Sequence, residues 1–115
     1  MVYLRQDELN AWQKRNFGVS QVEDMVLGMA EEVGELAHWI LKRKQGIREA
    51  SSGGDFKDEI ADAFADAVVF GIQVMSYEGI DADEALRKTI DEVLKRDFVN
   101  NPSGKGYSQH KKELT

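Results

Sequence analysis

Two groups of acidic residues are spaced so that like charges fall on one side of a helix. Glu31, Glu32 and Glu35 lie within two turns, and Glu59 and Asp62 repeat the i, i+3 spacing further along the chain. Like charges at such spacings destabilise an isolated helix by about 0.2–0.5 kcal/mol per pair. No lysine or arginine stands four residues further on to offset them. The pattern indicates carboxylates gathered for a cation rather than a solvated helix surface.

The surroundings of both groups favour a metal site. Asp66 extends the second group by one turn, and apolar residues such as Val33 and Phe64 flank the carboxylates. Two antiparallel helices joined by a short link would bring the groups face to face, where charges about 5 Å apart repel by roughly 3 kcal/mol at an effective dielectric of about 20. Hard divalent cations with oxygen ligands relieve such repulsion. We therefore predict a Mg²⁺ site, which Mn²⁺ would also fit.

Other chemistries match the sequence less well. Glu35 and His38 form a Glu-x-x-His pair, half of a di-iron bundle signature, but the other histidine, His110, lies in the polar tail. The sequence has no Gly-x-x-x-x-Gly-Lys-Ser/Thr loop, no His-Glu-x-x-His and no Gly-x-Ser-x-Gly. The alternative that stays open is a helical protein-interaction module whose acidic face binds a basic partner.

The elements that must position these carboxylates are all predicted to be helical. Apolar residues recur with a period near 3.6, and no stretch alternates as a half-buried strand does. We predict an all-α, four-helix bundle-like fold with helices at residues 4–17, 21–44, 56–78 and 82–98. The second and third helices carry the two acidic groups and are joined by a flexible link at residues 51–54.

Local signals mark the ends of the predicted helices. Ser20 and Glu23 have the spacing of a capping box, and Asp55 can cap the following helix. Gly46 and Gly79 follow the second and third helices, where glycine suits the left-handed position that ends a helix.

Both long helices are amphipathic, with apolar residues at i, i+3, i+4 and i+7 that form one stripe along each helix. The stripes comprise Val26, Met29, Ala30, Val33, Leu36, Ala37 and Ile40 on the second helix, and Ile60, Phe64, Ala67, Val68, Gly71, Val74 and Met75 on the third. Gly28, Gly34 and Gly71 lie inside these helices and cost about 1 kcal/mol each relative to alanine. Such a cost suggests that a neighbouring helix or a ligand approaches closely.

Composition sets the outer bounds. The 115 residues, of which 42% are apolar, suffice for one domain at 1–115 with an irregular tail from residue 100. A formal charge of −6 disfavours binding to nucleic acid and to anionic membranes. The longest uncharged stretch, Ala67 to Tyr77, is too short to span a bilayer. The chain has no cysteine and no apolar signal segment near its start, which is compatible with the cytoplasmic location that we expect.

The two acidic groups together resemble the signature of a known family. Leu27 to Leu36 contains Glu-Glu-x-x-Glu, and Glu59 to Ala63 contains Glu-x-x-Asp. In this combination the chain resembles the MazG-like nucleoside triphosphate pyrophosphohydrolases of the all-α NTP pyrophosphatase superfamily, from about Leu9 to Arg96. The resemblance implies Mg²⁺-dependent cleavage of a nucleoside triphosphate between its α and β phosphates. It also implies a homodimer or a dimer of dimers, in which a second copy completes the fold.

The resemblance assigns metal and catalytic roles. Glu32, Glu35, Glu59 and Asp62 match the positions that bind Mg²⁺. Glu31 matches the remaining acidic position, which holds a further metal or acts as base. Glu31 and Glu32 are therefore the catalytic candidates.

Substrate contacts follow from the same resemblance. Arg96 and Asn100 take the place of a Lys-x-x-x-Asn pattern in the family. The arginine that follows this pattern is replaced by Ser103, which leaves Lys105 as the nearest basic residue. Trp12 is the aromatic candidate for stacking on the base, with Phe17 and Trp39 as further possibilities.

Overall fold

Four α-helices make up the described part of the chain. The computed structural model describes residues 3–47 and 56–102, with α1 at Gln6–Phe17, α2 at Val22–Lys44, α3 at Phe56–Glu78 and α4 at Ala82–Leu94. No strand occurs in these two ranges, so the all-α prediction is confirmed there. The chain divides into two compact units, Met1–Ala82 and Asp83–Thr115. The predicted link at 51–54 and the cap Asp55 lie outside the described residues.

The two long helices end where the sequence predicts. α2 and α3 agree with their predicted ranges to within one residue. Gly46 and Gly79 follow them with φ of 82° and 71°, the left-handed backbone that a side chain with a Cβ rarely adopts.

The first helix begins later than predicted. Arg5 has a left-handed backbone with φ of 54°, so the helix cannot include it and begins at Gln6. Its guanidinium forms an exposed ion pair with Glu8 at 2.8 Å.

The predicted capping box is displaced by one residue. Gln21, not Ser20, precedes the first turn of α2, and its backbone N–H donates to the Asp24 carboxylate at 3.3 Å. Ser20 has other partners: its hydroxyl accepts from the Gln13 amide, and its N–H donates to the Tyr77 hydroxyl. These tertiary contacts take Ser20 out of the capping position.

The fourth helix is shorter than predicted and ends at Leu94. Beyond it, the Asp97 carboxylate accepts hydrogen bonds from the backbone N–H groups of Val99 and Asn100, each at 3.1 Å. An aspartate that binds the backbone two and three residues on stabilises a turn in place of helix.

Two facing pairs show that α2 and α3 pack antiparallel. A Cβ added to Gly28 would lie 2.6 Å from the Phe70 ring, and Trp39 packs edge-on against Phe56 with ring centroids 6.1 Å apart. Since residue numbers rise along α2 while those of their partners fall along α3, the helices run in opposite directions. The close approach expected at Gly28 is confirmed.

The face of α2 that packs on α3 differs from the predicted apolar stripe. Met25 and Trp39 are buried, whereas Val26, Val33 and Ile40 are between 40% and 51% exposed. Val26 and Ile40 of the predicted stripe each come one residue after a buried residue, so the stripe is rotated by about 100° around the helix from the packed face. The helix therefore presents a second, open apolar face.

The apolar stripe of α3 is only partly open. Ala67 is buried and Ile60 packs against the Trp39–Phe56 cluster, whereas Phe64 is 61% exposed. α3 is also long and apolar enough to cross a membrane by length and composition. The core helix of a soluble protein can have the same length and composition, so these two features are weak support for a membrane span.

Gln6 joins α1 to the turn between α3 and α4. Its side-chain nitrogen donates to the Ser76 hydroxyl at 3.2 Å and to the Ile80 carbonyl at 2.8 Å, and its oxygen accepts from the Ala82 N–H at 2.8 Å. One amide thus satisfies a carbonyl that follows α3 and one of the N–H groups left unpaired at the start of α4.

Replacing Gln6 by alanine is expected to lower the free energy of unfolding by about 1–3 kcal/mol. The buried Ala82 N–H would lose its partner, and an unsatisfied buried polar group costs on that order. Gln45→Ala, at an exposed position after α2, is the matched control and should change stability by less than about 0.5 kcal/mol. Urea unfolding followed by circular dichroism at one protein concentration measures both. Equal losses in the two variants would contradict a special role for Gln6.

Candidate functional site

The candidate site begins with a carboxylate placed on the packed face of α2. Glu32 lies seven residues from each of the two buried residues, Met25 and Trp39, and a spacing of seven keeps all three on one side of the helix. Its side chain is accordingly half-buried, whereas Glu31 and Glu35 are exposed. Helix phase alone therefore turns one member of the acidic group toward α3.

Asp66 of α3 is near enough to Glu32 for its negative charge to act on the Glu32 carboxyl. The two side chains interact electrostatically across the α2–α3 contact. Moving from Glu32 to Glu35 on α2 corresponds, in an antiparallel pair, to moving from Asp66 to Asp62 on α3. We call the row formed by these residues with Glu31 and Glu59 the acidic edge.

The pKa of the Glu32 carboxyl is raised above its usual value. The largest cause is burial, which removes water from the charged form, and the next is the negative charge of Asp66. Glu31 and Glu35 raise the same pKa further. The folded chain therefore holds the negative charge of Glu32 beside other negative charges that repel it.

The described chain provides no basic partner for this charge. Within residues 3–47 and 56–102, no salt bridge to lysine or arginine joins Glu32, Glu35 or Asp66. Glu59 is half-buried and makes an interaction of its own, while Asp62 is exposed. The acidic edge is thus negative and open to solvent along one side.

The acidic side chains do not converge on a single point. Over the described residues, no three or more Asp, Glu or His side chains are grouped closely enough to hold a metal ion. The donor set itself consists of carboxylate oxygens, which are the ligands that Mg²⁺ and Mn²⁺ prefer. The chemistry of the edge fits such an ion, whereas the side-chain positions described would have to change to enclose one.

The candidates for phosphate binding lie in the second unit. Arg96 is half-buried after the end of α4, and Asn100 is exposed. Because α4 ends at Leu94, Arg96 and Asn100 do not lie on one helical face. The Asn100 amide also donates to the Asp97 carboxylate, which lowers the pKa of Asp97. Lys105 lies outside the described residues.

The aromatic candidates have different environments. Trp12 is 42% exposed and packs edge-on against Phe17 at 5.6 Å. Trp39 is buried between α2 and α3, where His38 also packs against its ring, so Trp39 belongs to the core. In the described ranges, α1 reaches α3 through Ser76, near the helix end remote from the acidic edge.

The structure adds Asp66 to the residues that the two acidic motifs single out. Its sequence signal is the i+4 spacing from Asp62, which extends the acidic row by one turn. The motif Glu-x-x-Asp ends at Asp62, so only the packing of α3 on α2 shows that Asp66 is the residue opposite Glu32.

The sequence matches a known protein family over most of its length. A family model that describes the MazG nucleotide pyrophosphohydrolase domain matches residues 20–98, which is more than half of the chain. The matched region contains α2, α3 and α4 and begins after α1. Comparisons with curated proteins and with solved structures gave no match.

Replacing Glu32 by glutamine is expected to stabilise the metal-free protein at neutral pH. Because the pKa of Glu32 is higher in the folded chain than in the unfolded chain, stability falls as the pH rises through the window between the two values. The penalty is complete above this window and absent below it. Urea unfolding at about pH 7 should therefore show a gain that shrinks toward about pH 4.

Glu31→Gln is the matched control for this measurement. It removes an exposed carboxylate one residue away and relieves only one of the smaller repulsions on Glu32, so its gain at neutral pH should be smaller. A Glu32→Gln variant that is no more stable than the wild type, or whose gain grows at acid pH, would contradict the electrostatic description.

Proposed function

Because the chain belongs to the MazG nucleotide pyrophosphohydrolase family, we propose that it hydrolyses a nucleoside triphosphate between the α and β phosphates in a Mg²⁺-dependent reaction. Family membership supports nucleotide pyrophosphohydrolase activity in general. The proposal adds three specific points to this general activity. The substrate is a nucleoside triphosphate, the metal is Mg²⁺, and the bond that is cleaved joins the α and β phosphates. Its products are a nucleoside monophosphate and pyrophosphate.

One observation of the chain itself carries the proposal. Glu32 is half-buried, its pKa is raised by burial and by the charge of Asp66, and no salt bridge in the described ranges neutralises it. A site that keeps uncompensated negative charge at a helix contact gives up stability, and a bound divalent cation recovers it. Such a cation also lets an acidic protein hold an acidic substrate, since it attracts the phosphates that the carboxylates repel.

The proposed metal ligands are Glu32, Glu35, Glu59 and Asp62, with Asp66 as an addition from the packing. Glu35 and Asp62 are exposed and can change rotamer to approach Glu32. Bound Mg²⁺ supplies charge neutralisation for the phosphates and lowers the pKa of a coordinated water.

The remaining steps are assigned to side chains of this protein. Glu31 or Glu32 accepts the proton of the attacking water as general base. Arg96 and Lys105 are the proposed phosphate contacts, since arginine binds two phosphate oxygens at once. Asn100 would have to release Asp97 to join them, and Trp12 is the proposed stacking partner for the base. We place the reaction in the cytoplasm, with no role for nucleic acid or membrane.

Removal of one proposed ligand is expected to abolish turnover without unfolding the chain. Glu35→Gln and Asp62→Asn should each slow Mg²⁺-dependent pyrophosphate release by about 100-fold or more, the scale seen when one charge-stabilising group is lost. Both variants should keep their melting temperature or raise it, because each removes one negative charge from the edge.

A matched control and a binding measurement make this test specific. Glu78→Gln changes an exposed glutamate at the far end of α3 and should leave turnover unchanged. Mg²⁺ with a non-hydrolysable nucleotide should raise the melting temperature of the wild type and of Glu78→Gln, but not that of the ligand variants. Full activity in both ligand variants would refute the assignment.

The position of bond cleavage is tested with isotope-labelled water. Attack on the α phosphorus should place the labelled oxygen in the nucleoside monophosphate and leave the pyrophosphate unlabelled. Mass spectrometry of the products reports this directly. Release of orthophosphate and a nucleoside diphosphate as first products would instead show cleavage at the γ phosphate and would overturn the proposed reaction.

A further inference from the structure

We propose that an interlock of two glycines with two bulky side chains fixes the register of α2 against α3 and thereby sets the spacing of the carboxylates along the acidic edge. The interlock consists of Gly28 and Met29 on α2 and of Phe70 and Gly71 on α3. None of these side chains offers an oxygen to a cation, so all four are positioning residues. The part of the inference that concerns a bound cation rests on the proposed function, whereas the part that concerns the register does not.

The two helices exchange bulky side chains at neighbouring positions. A Cβ built on Gly28 would lie 2.6, 2.7 and 2.8 Å from three atoms of the Phe70 ring, far inside contact distance. A Cβ built on Gly71 would lie 3.3 Å from the methyl carbon of Met29 and 3.4 Å from its sulfur. Each helix therefore accepts a large side chain of the other at a position where it has none of its own.

A reciprocal contact of this kind resists sliding of one helix along the other. If α2 moved by one turn, about 5.4 Å, the Phe70 ring would come level with Asp24 or Glu32, both of which have side chains in the space that the ring needs. The same movement would carry Met29 away from Gly71. Because overlap in a packed contact destabilises a fold, the observed register is the one in which both glycines are filled at once.

The interlock lies one helical turn from the carboxylates that repel each other. Gly28 comes four residues before Glu32 on α2, and Phe70 comes four residues after Asp66 on α3. Since the helices run antiparallel, these two steps lead in the same direction along the pair. The contact at Gly28 therefore also brings position 32 level with position 66, in agreement with the charge of Asp66 acting on the Glu32 carboxyl.

The separation of the helices matters for a cation because its proposed ligands come from both of them. Glu32 belongs to α2 and Asp62 to α3, and Mg²⁺ tolerates little departure from metal–oxygen distances of about 2.0–2.1 Å. Glycine weakens a helix relative to alanine, so an alanine at position 28 would strengthen α2 on its own. It would also force either the Phe70 ring or α2 to move. The close approach of the helices is thus obtained with a weaker helix former.

Disulfide formation tests the register without a metal, in a chain that has no cysteine of its own. Glu32→Cys together with Asp66→Cys should cross-link the two helices within one chain under mild oxidation, which requires Cα atoms within about 7 Å. Adding Gly28→Ala should slow this cross-linking by about tenfold or more. Adding Phe70→Leu as well should restore it, because the smaller side chain leaves room for the new Cβ.

Gly71→Ala is the matched control. It makes the same substitution in the same interlock, but the atoms that the new Cβ meets are the flexible end of Met29, which can move aside. Its cross-linking rate should stay within about twofold of the unmodified cysteine pair. Circular dichroism and urea unfolding check that every variant keeps its helices.

Calorimetric titration with Mn²⁺ alone tests the consequence for a cation, in chains that retain all of their carboxylates. Gly28→Ala should weaken binding by about tenfold or more, which corresponds to about 1.4 kcal/mol. Gly71→Ala should bind as the wild type does, and Gly28→Ala with Phe70→Leu should recover most of the lost affinity. Unchanged affinity in a Gly28→Ala variant whose helices no longer cross-link would overturn the effect on the acidic edge.

The two measurements separate the interlock from the proposed function. A wild type that binds no Mn²⁺, combined with the expected cross-linking pattern, would remove the metal from the proposed function and leave the register inference standing. Absence of cross-linking between positions 32 and 66, cross-linking that Gly28→Ala does not slow, equal slowing by Gly71→Ala, or no recovery with Phe70→Leu would each overturn the interlock, whatever the Mn²⁺ titration shows.

Discussion

A carboxylate at a core position of a helix pair is the constraint on which the rest of this structure depends. Glu32 shares its phase with Met25 and Trp39, so the packing that buries the two apolar residues brings the glutamate against α3 as well. A leucine there would let the helix contact close with apolar side chains alone. The glutamate instead places a carboxylate on the packed face, where the charge of Asp66 also acts on it.

The half-buried charge at this position lowers the stability of the folded chain. Buried or half-buried charges are retained when they have a partner or coordinate a metal, and the described chain offers Glu32 no salt bridge. The family match supplies the chemical context, since a pyrophosphohydrolase must hold several phosphate charges close to its own carboxylates. Under the proposed function, a bound cation would offset the mutual repulsion of the carboxylates along the acidic edge.

The faces of α2 differ in their surroundings and in their chemistry. α2 packs on α3 along Met25 and Trp39, exposes Glu31 and Glu35 on one side, and exposes apolar residues such as Val26 and Val33 on another. Close packing against α3 is possible because Gly28 leaves room for the Phe70 ring.

The sequence by itself determined the helices and the acidic motifs, while only the tertiary structure decided which way they face. α2 and α3 could be bounded to within one residue because periodicity and glycine stops are local, and the spacing of the glutamates follows directly from the chain. The start of α1, the displaced cap at Gln21 and the end of α4 at Leu94 were wrong in the prediction, because Arg5, Ser20 and Asp97 make contacts that periodicity does not record. The strongest apolar stripe of α2 turned out to be its open face, and Asp66 turned out to oppose Glu32. A residue is buried only when another element covers it, so burial depends on which helix packs alongside and not on the apolar pattern of one helix.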